Sequence, residues 1–309
     1  MERVTTMKQL ASLLPLIPKQ NKDSSQKPTS KRHLQLVKLA GDLAEKTREE
    51  ANELGFMSRL LIMVNLPYKD PGKDKKCWIR KNGKVSIVVS AVYNQNGLCM
   101  GIPYGSYPRL ILAYLITQAV KTQSPKIHLG KGFRDFIELI GLEKGGHQFK
   151  NVRKQLERIL SASFSWTYET EKMLSRTNIQ VSHQSELWWD TKTPDQQTLW
   201  ESYISLNHHF FNEIIRHAVP LDLRVLSILK NSPLGLDLYM FIMWRTYKID
   251  IPIMISWKSL QEQLGGQYSN INDFSKKCRF HVQRIKSIYP LLKVEFERGR
   301  IRLYPSHPI

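Results

Sequence analysis

The chain has 309 residues, 41% of them apolar, enough for one large or two ordinary hydrophobic cores without disulfide or metal staples. Lys and Arg number 46 against 27 Asp and Glu, a net charge of +19 that a polyanion neutralises best, nucleic acid first, with a membrane surface or ribosome as the blander outlet. Cys77, Cys99 and Cys278 form no close pair, no apolar run approaches the ~20 residues of a membrane span, and Glu2, Pro15 and Pro18 spoil a secretion signal, which excludes a disulfide framework, structural zinc and a membrane and predicts a soluble cytoplasmic protein.

Residues 19–32, KQNKDSSQKPTSKR, are polar and free of aromatics, and read as a flexible basic tail. Over residues 33–54, Leu36, Leu39, Ala40, Leu43 and Ala44 recur at helical spacing, an amphipathic helix with Gly55 as its stop. Residues 84–105 alternate β-branched side chains around Asn96-Gly97, the signature of a hairpin. PRLILAYLITQAVKTQ opens with Pro108, is apolar almost all round, and predicts a buried helix. A short strand at Lys126 to Leu129 leads to a second helix through Phe133, Phe136, Ile137 and Ile140, closed by Gly141. A third helix, residues 146–161, turns Phe149, Val152, Leu156, Ile159 and Leu160 inward, and FSWTYET and IQVSHQSELWW then alternate like two strands around a polar loop.

The same order returns in the second half. A short helix, LDLRVLSILK, precedes an apolar one introduced by Pro233; then come a strand at Ile253 to Ser256, the helix WKSLQEQLGG, the helix INDFSKKCRFHVQRIKSI stopped by Pro290, and two strands turning at Arg298-Gly299. Helix, strand, helix, helix, hairpin is the order of a winged helix. The expected fold is therefore α+β: two tandem winged-helix domains, residues 61–205 and 206–309, after a basic tail and amphipathic helix in residues 1–60. The first domain is expected to dimerise or touch the DNA backbone, the second to supply most of the sequence-specific binding.

A helix that reads the major groove needs donors on its outward face. The 100° step per residue sets His147, Lys150, Asn151, Lys154 and Arg158 opposite the apolar face of the first third helix, diluted only by Glu157. In the second, Phe274, Cys278, Val282 and Ile285 face inward, and Asn272, Lys276, Arg279, Phe280, Gln283 and Ser287 face outward, flanked by Lys277, Arg284 and Lys286. The wing adds Arg298, Arg300 and Arg302. Phe280 has two readings, a contact with a thymine methyl or burial against the other domain. The loop cluster Lys73, Lys75, Lys76, Arg80, Lys81 and Lys84 around Trp78 either touches the DNA backbone or is solvated.

Catalytic signatures are missing. Rolling-circle nickases need two histidines flanking one apolar residue and a nucleophilic tyrosine, whereas His208 and His209 are adjacent and point 100° apart at the start of a helix. There is no GxxxxGK[ST] loop, Gly130-Lys131-Gly132 is too short to stand for one, and the carboxylates Glu49, Glu50, Glu295 and Glu297 fall on exposed elements. The sequence predicts a binding protein, not an enzyme, with no metal and no cofactor.

The motifs GIPYGSYPRLILAYLITQAV, ELIGL, SLNHHFFNEI, VPLDLRVLSILKNSPLGLDLYMF, ISWKSLQEQLG and LYPSHP stand in an order that resembles the RepA-type plasmid replication initiators, from about Val85 to the last residues. The resemblance implies binding of double-stranded DNA at repeated origin sites, opening of an adjacent AT-rich region with the host initiator, recruitment of the replicative helicase, and repression of its own promoter through a monomer–dimer equilibrium. A transcriptional repressor using the same modules is the alternative, and a nicking enzyme the third reading.

Overall fold

The computed structural model describes residues 53–306 except positions 64, 73, 144, 189–201, 248, 266–267 and 290–291. The expected basic tail and most of the amphipathic helix lie outside the described residues. The last position of that helix, Leu54, is instead part of a strand: β1 (Leu54–Ser58) is followed by α1 (Arg59–Met63).

β2 (Cys77–Asn82) and β3 (Val85–Ser90) form the first hairpin, upstream of the expected one. Asn96-Gly97 does turn the chain, but the turn closes only an isolated bridge between Tyr93 and Cys99, with Asn94 Oδ1 accepting from the Asn96 and Leu98 amides. α2 (Ser106–Thr122) follows, two residues longer at its start than the proline signal suggests, then β4 (Lys126–His128), α3 (Phe133–Leu139) and α4 (Gly146–Ser161). β5 (Ser163–Thr170), β6 (Met173–Gln180), β7 (Ser182–Glu186), β8 (Tyr203–Leu206) and α5 (His208–His217) complete the first half. The second half runs β9 (Ala218–Asp222), α6 (Leu223–Leu229), α7 (Pro233–Thr246), β10 (Ile253–Ser256), α8 (Trp257–Leu264), α9 (Ile271–Ile288), β11 (Val294–Glu297) and β12 (Arg300–Leu303).

Two sheets share one plan. In the order β10-β12-β11, the strand before α8 pairs with the last strand of the hairpin, Ile253 opposite Leu303 and Ser256 opposite Arg300. In the order β4-β8-β7, the strand before α3 likewise pairs with the last strand of its hairpin, Lys126 opposite Ser205 and His128 opposite Tyr203. This corrects the expected first hairpin. FSWTYET lies in β5, which pairs with β6 and β3 in a separate four-stranded sheet β2-β3-β5-β6, and IQVSHQSELWW is divided between the end of β6 and β7. Alternation marks strands but not partners, and β5–β6 is an extra hairpin between α4 and the sheet strands.

α2 and α7 lie at the centre. Ile111, Leu115 and Ile116 of α2 and Leu236, Leu238 and Ile242 of α7 have no measurable exposure, and burying each side chain contributes ~1.5–3 kcal/mol. Helices apolar all round are stable only where neighbours cover every face, which these two have. β1 pairs with β9, Leu54 opposite Asp222, so the two halves also share a sheet. All described residues belong to one compact unit, Leu36–Ile309. No helix among them is long and apolar enough to cross a membrane.

Candidate nucleic-acid interface

α9 begins where Asn270 Oδ1 accepts from the Asn272 amide at 2.8 Å, an N-cap contributing about 1 kcal/mol. Phe274, Cys278, Val282 and Ile285 are fully buried, as their spacing predicts, and burial pushes the Cys278 thiol far up, keeping it neutral. His281 is buried too, its Nε2 3.0 Å from the Ser232 hydroxyl that caps α7. That contact anchors α9 to the central helix. The opposite strip, Asn272, Lys276, Phe280 and Gln283, is exposed, with Lys277 beside it. The lysine ammonium groups have no ion-pair partner among the described residues.

The arginines behave differently. Arg279 is half-buried, its guanidinium over the Phe296 ring at 4.7 Å and the Trp257 ring at 5.2 Å, with a long 3.4 Å bond to the Glu297 carbonyl. It clamps α9 to α8 and β11 and presents only part of its fork outward. Arg284 donates to the Ile228 carbonyl at 3.1 Å and lies over the Phe280 ring at 5.8 Å. In the hairpin beyond, Glu297 accepts from Arg302 Nε at 2.5 Å and pairs with Arg300 Nε at 2.9 Å, which neutralises part of the hairpin's charge. Arg298, beside the positive-φ Gly299 that turns the hairpin, is exposed and makes no such pair among the described residues.

On α4, Val152, Leu156 and Ile159 are fully buried, and Lys150 and Lys154 are exposed. Arg158 is not on the outward face: the expectation is corrected by its 7% exposure. Its Nε donates to the Met100 carbonyl at 2.8 Å, one Nη to the Ile102 carbonyl at 3.0 Å, and Asp70 lies 3.7 Å away. Gly101 adopts φ +82°, and a Cβ there would stand 2.6 Å from the guanidinium, so the loop closes on Arg158 only without a side chain. The physical reason is angular. Arg158 sits on the flank of α4 with Asn151 and Gln155, and the chain before α2 covers that flank, Gln155 Oε1 accepting from the Tyr104 amide at 2.9 Å. Asn151 is accordingly half-buried. The side chain of His147 lies outside the described residues.

The loop cluster also divides. Lys75, Lys76, Lys81 and Lys84 are exposed, and Lys73 lies outside the described residues. Arg80 donates to the Glu262 and Gln263 carbonyls at 2.5 and 2.8 Å, capping the C-terminal end of α8, and burial pulls its pKa below the usual arginine value. The sequence carried no signal for this grip across 182 positions. His208 and His209 occupy the first turn of α5, where Asn207 caps the His209 amide at 3.0 Å and His208 pairs with Asn212.

A family model described as plasmid encoded RepA protein matches residues 102–258, just over half the chain. Among solved structures, the chain resembles the crystal structure of RctB domains 2-3, with a TM-score of 0.51 and 14% identity, over 79% of this chain and 96% of that one. It also resembles selenomethionine derivatives of RctB domains 2 and 3, with a TM-score of 0.53 and 14% identity, over 80% and 97%. At that identity the likeness is one of fold. No curated protein matches the sequence.

Proposed function

We propose a function on one premise: the chain belongs to the family of plasmid-encoded RepA proteins. As a plasmid replication initiator, it binds repeated double-stranded sites at the plasmid origin and in its own promoter. It promotes opening of the neighbouring duplex and leaves strand separation and synthesis to the recruited host initiator and helicase. It works in the cytoplasm by binding, not by catalysis, and exchanges between monomer and dimer. Each half acts as a winged-helix module, α9 and α4 being the helices offered to the major groove and the β11–β12 and β7–β8 hairpins the wings.

The observation that carries this reading is the outward strip of α9, Asn272, Lys276 and Gln283, set beside a hairpin that ends in Arg298. Amide side chains suit adenine edges, a lysine suits guanine edges, and an arginine at a hairpin tip suits a phosphate or the minor groove. A helix fits the ~12 Å width of the major groove. The shared sheet order of the two halves supports the same use of α4, whose Lys150 and Lys154 supply charge without a matching set of base-reading groups. Two linked modules on one repeat gain affinity through effective concentration.

Footprinting the full-length protein on the DNA flanking its gene tests the reading. Protection of repeated sites, needing more protein in Lys276→Ala, is expected; absence of any specific footprint would refute it. Deleting the gene from its replicon then separates an initiator, which the plasmid needs for maintenance, from a repressor, which it does not. Nicking of supercoiled plasmid with magnesium would overturn the non-enzymatic part.

A further inference from the structure

Phe280 stands where an aromatic ring is hard to account for by folding. It is 53% exposed in the middle of the outward strip of α9, four residues after Lys276 and three before Gln283, so the three side chains project from one face. Burial against the other half does not occur: all described residues belong to one unit, and the ring still faces solvent. Nor is it loose. Arg284, one turn further on, lies over the ring at 5.8 Å while its own Nη2 is tied to the Ile228 carbonyl at 3.1 Å, and the His281 ring stands edge-on at 5.3 Å. The guanidinium therefore steadies the ring from one side, anchored to a different helix.

Major-groove base edges offer hydrogen-bond donors and acceptors and one apolar group, the 5-methyl of thymine. A phenyl ring between a lysine and a glutamine cannot satisfy the donors and acceptors; it can cover the methyl. We propose that Phe280 is a specificity-determining residue that packs on the 5-methyl group of a thymine within the bound repeat, while Lys276 and Gln283 read the neighbouring base pairs. The inference rests on the proposed DNA binding and adds the identity of one base to it.

The test replaces each thymine of a footprinted repeat, one at a time, with deoxyuridine, which keeps every hydrogen-bonding group and lacks only the methyl. Binding of the full-length protein is measured by competition. At one or two positions the wild-type protein should lose about fourfold in affinity, the partition of a single methyl group. Phe280→Ala should bind the thymine duplex less well and be indifferent to deoxyuridine at those same positions, with unchanged thermal unfolding. Phe280→Leu should keep part of the discrimination. A wild-type profile that is flat at every thymine, or one that Phe280→Ala reproduces, overturns the proposal while leaving DNA binding intact. If no specific footprint forms on any flanking DNA, the functional reading falls and this inference with it.

Discussion

Arg109 of α2 and Asp237 of α7, 128 positions apart, form a buried bidentate ion pair, Nε to Oδ1 at 2.6 Å and Nη2 to Oδ2 at 2.8 Å, with the side chains only 3% and 6% exposed. The pair is fully surrounded by hydrogen bonds. Arg109 also donates to the Gly105 carbonyl at 2.6 Å and the Leu66 carbonyl at 2.7 Å, and Asn65 Nδ2 donates to Asp237 Oδ2 at 3.0 Å and the Leu264 carbonyl at 3.1 Å. Tyr68 donates to that same Leu264 carbonyl, and burial together with the Asp237 charge raises its pKa well above the phenol value. The junction thus joins the central helices of both halves to the end of α8, which leads into α9.

Removing one charge from that junction leaves the other buried and uncompensated, at a cost of about 3–5 kcal/mol. Asp237→Asn should accordingly lower the urea unfolding midpoint strongly. The double variant Arg109→Leu, Asp237→Leu should recover much of the loss, because the desolvation of both charges disappears together. A midpoint unchanged by Asp237→Asn would show that the junction does not hold the halves together.

Arg158 and Lys154 sit one turn apart on α4 and should fail differently. Arg158→Ala strips the Met100 and Ile102 carbonyls of their donor and should destabilise the fold by ~1–3 kcal/mol with the salt dependence of DNA binding unaltered. Lys154→Ala should leave stability within about 0.5 kcal/mol and, if its ammonium meets a phosphate, lower the slope of log K against log salt by about 0.9. Equal effects of the two variants on that slope would return Arg158 to the interface.

Lys276 and Arg279 are neighbours on α9 with separable duties. Lys276→Ala should cost about 1–3 kcal/mol of specific binding and leave melting unchanged. Arg279→Ala should weaken binding and lower the melting temperature together, since its guanidinium is stacked on Phe296 and Trp257. Arg279→Lys should not restore it, because an ammonium cannot reproduce a planar stacked fork. A stable Arg279→Ala protein would mean that the clamp between α9 and the hairpin is held by other contacts.

Glu53, the residue before β1, carries a pKa raised above the ordinary 4.5, by burial first and the Asp222 charge second. The folded state therefore binds this proton more tightly than the unfolded chain does. Between the unfolded and folded pKa values, stability falls as pH rises, and the loss is complete at neutral pH. Glu53→Gln should raise the urea midpoint at pH 7 and have little effect near pH 3.5, where the carboxyl is already protonated. The same gain at both pH values would point to packing as the cause.

Much of this was legible in the chain. The 4-4-3 spacing of Phe274, Cys278, Val282 and Ile285 marks the buried face of α9 because helical periodicity is a local property that tertiary packing rarely overrides when it is this regular. Arg109 and Asp237, opposite charges within two otherwise apolar stretches, are also visible in the sequence, and burial of both stretches requires a partner for each charge. Strand pairing was not legible: alternation identifies Ser163–Thr170 as a strand but cannot say that it joins β3 and leaves β4 to pair with β8.

The net charge of +19 and the two amphipathic long helices follow from the order of residues alone, since charge is additive and helical faces repeat every few positions. Which cations remain available to an anion was decided only by the tertiary structure. Lys150, Lys154, Lys276 and Arg298 face solvent, whereas Arg80, Arg109 and Arg158 are held by backbone carbonyls from distant segments. A guanidinium is buried when the fold delivers carbonyl oxygens in the right geometry, and that delivery depends on how remote parts of the chain meet.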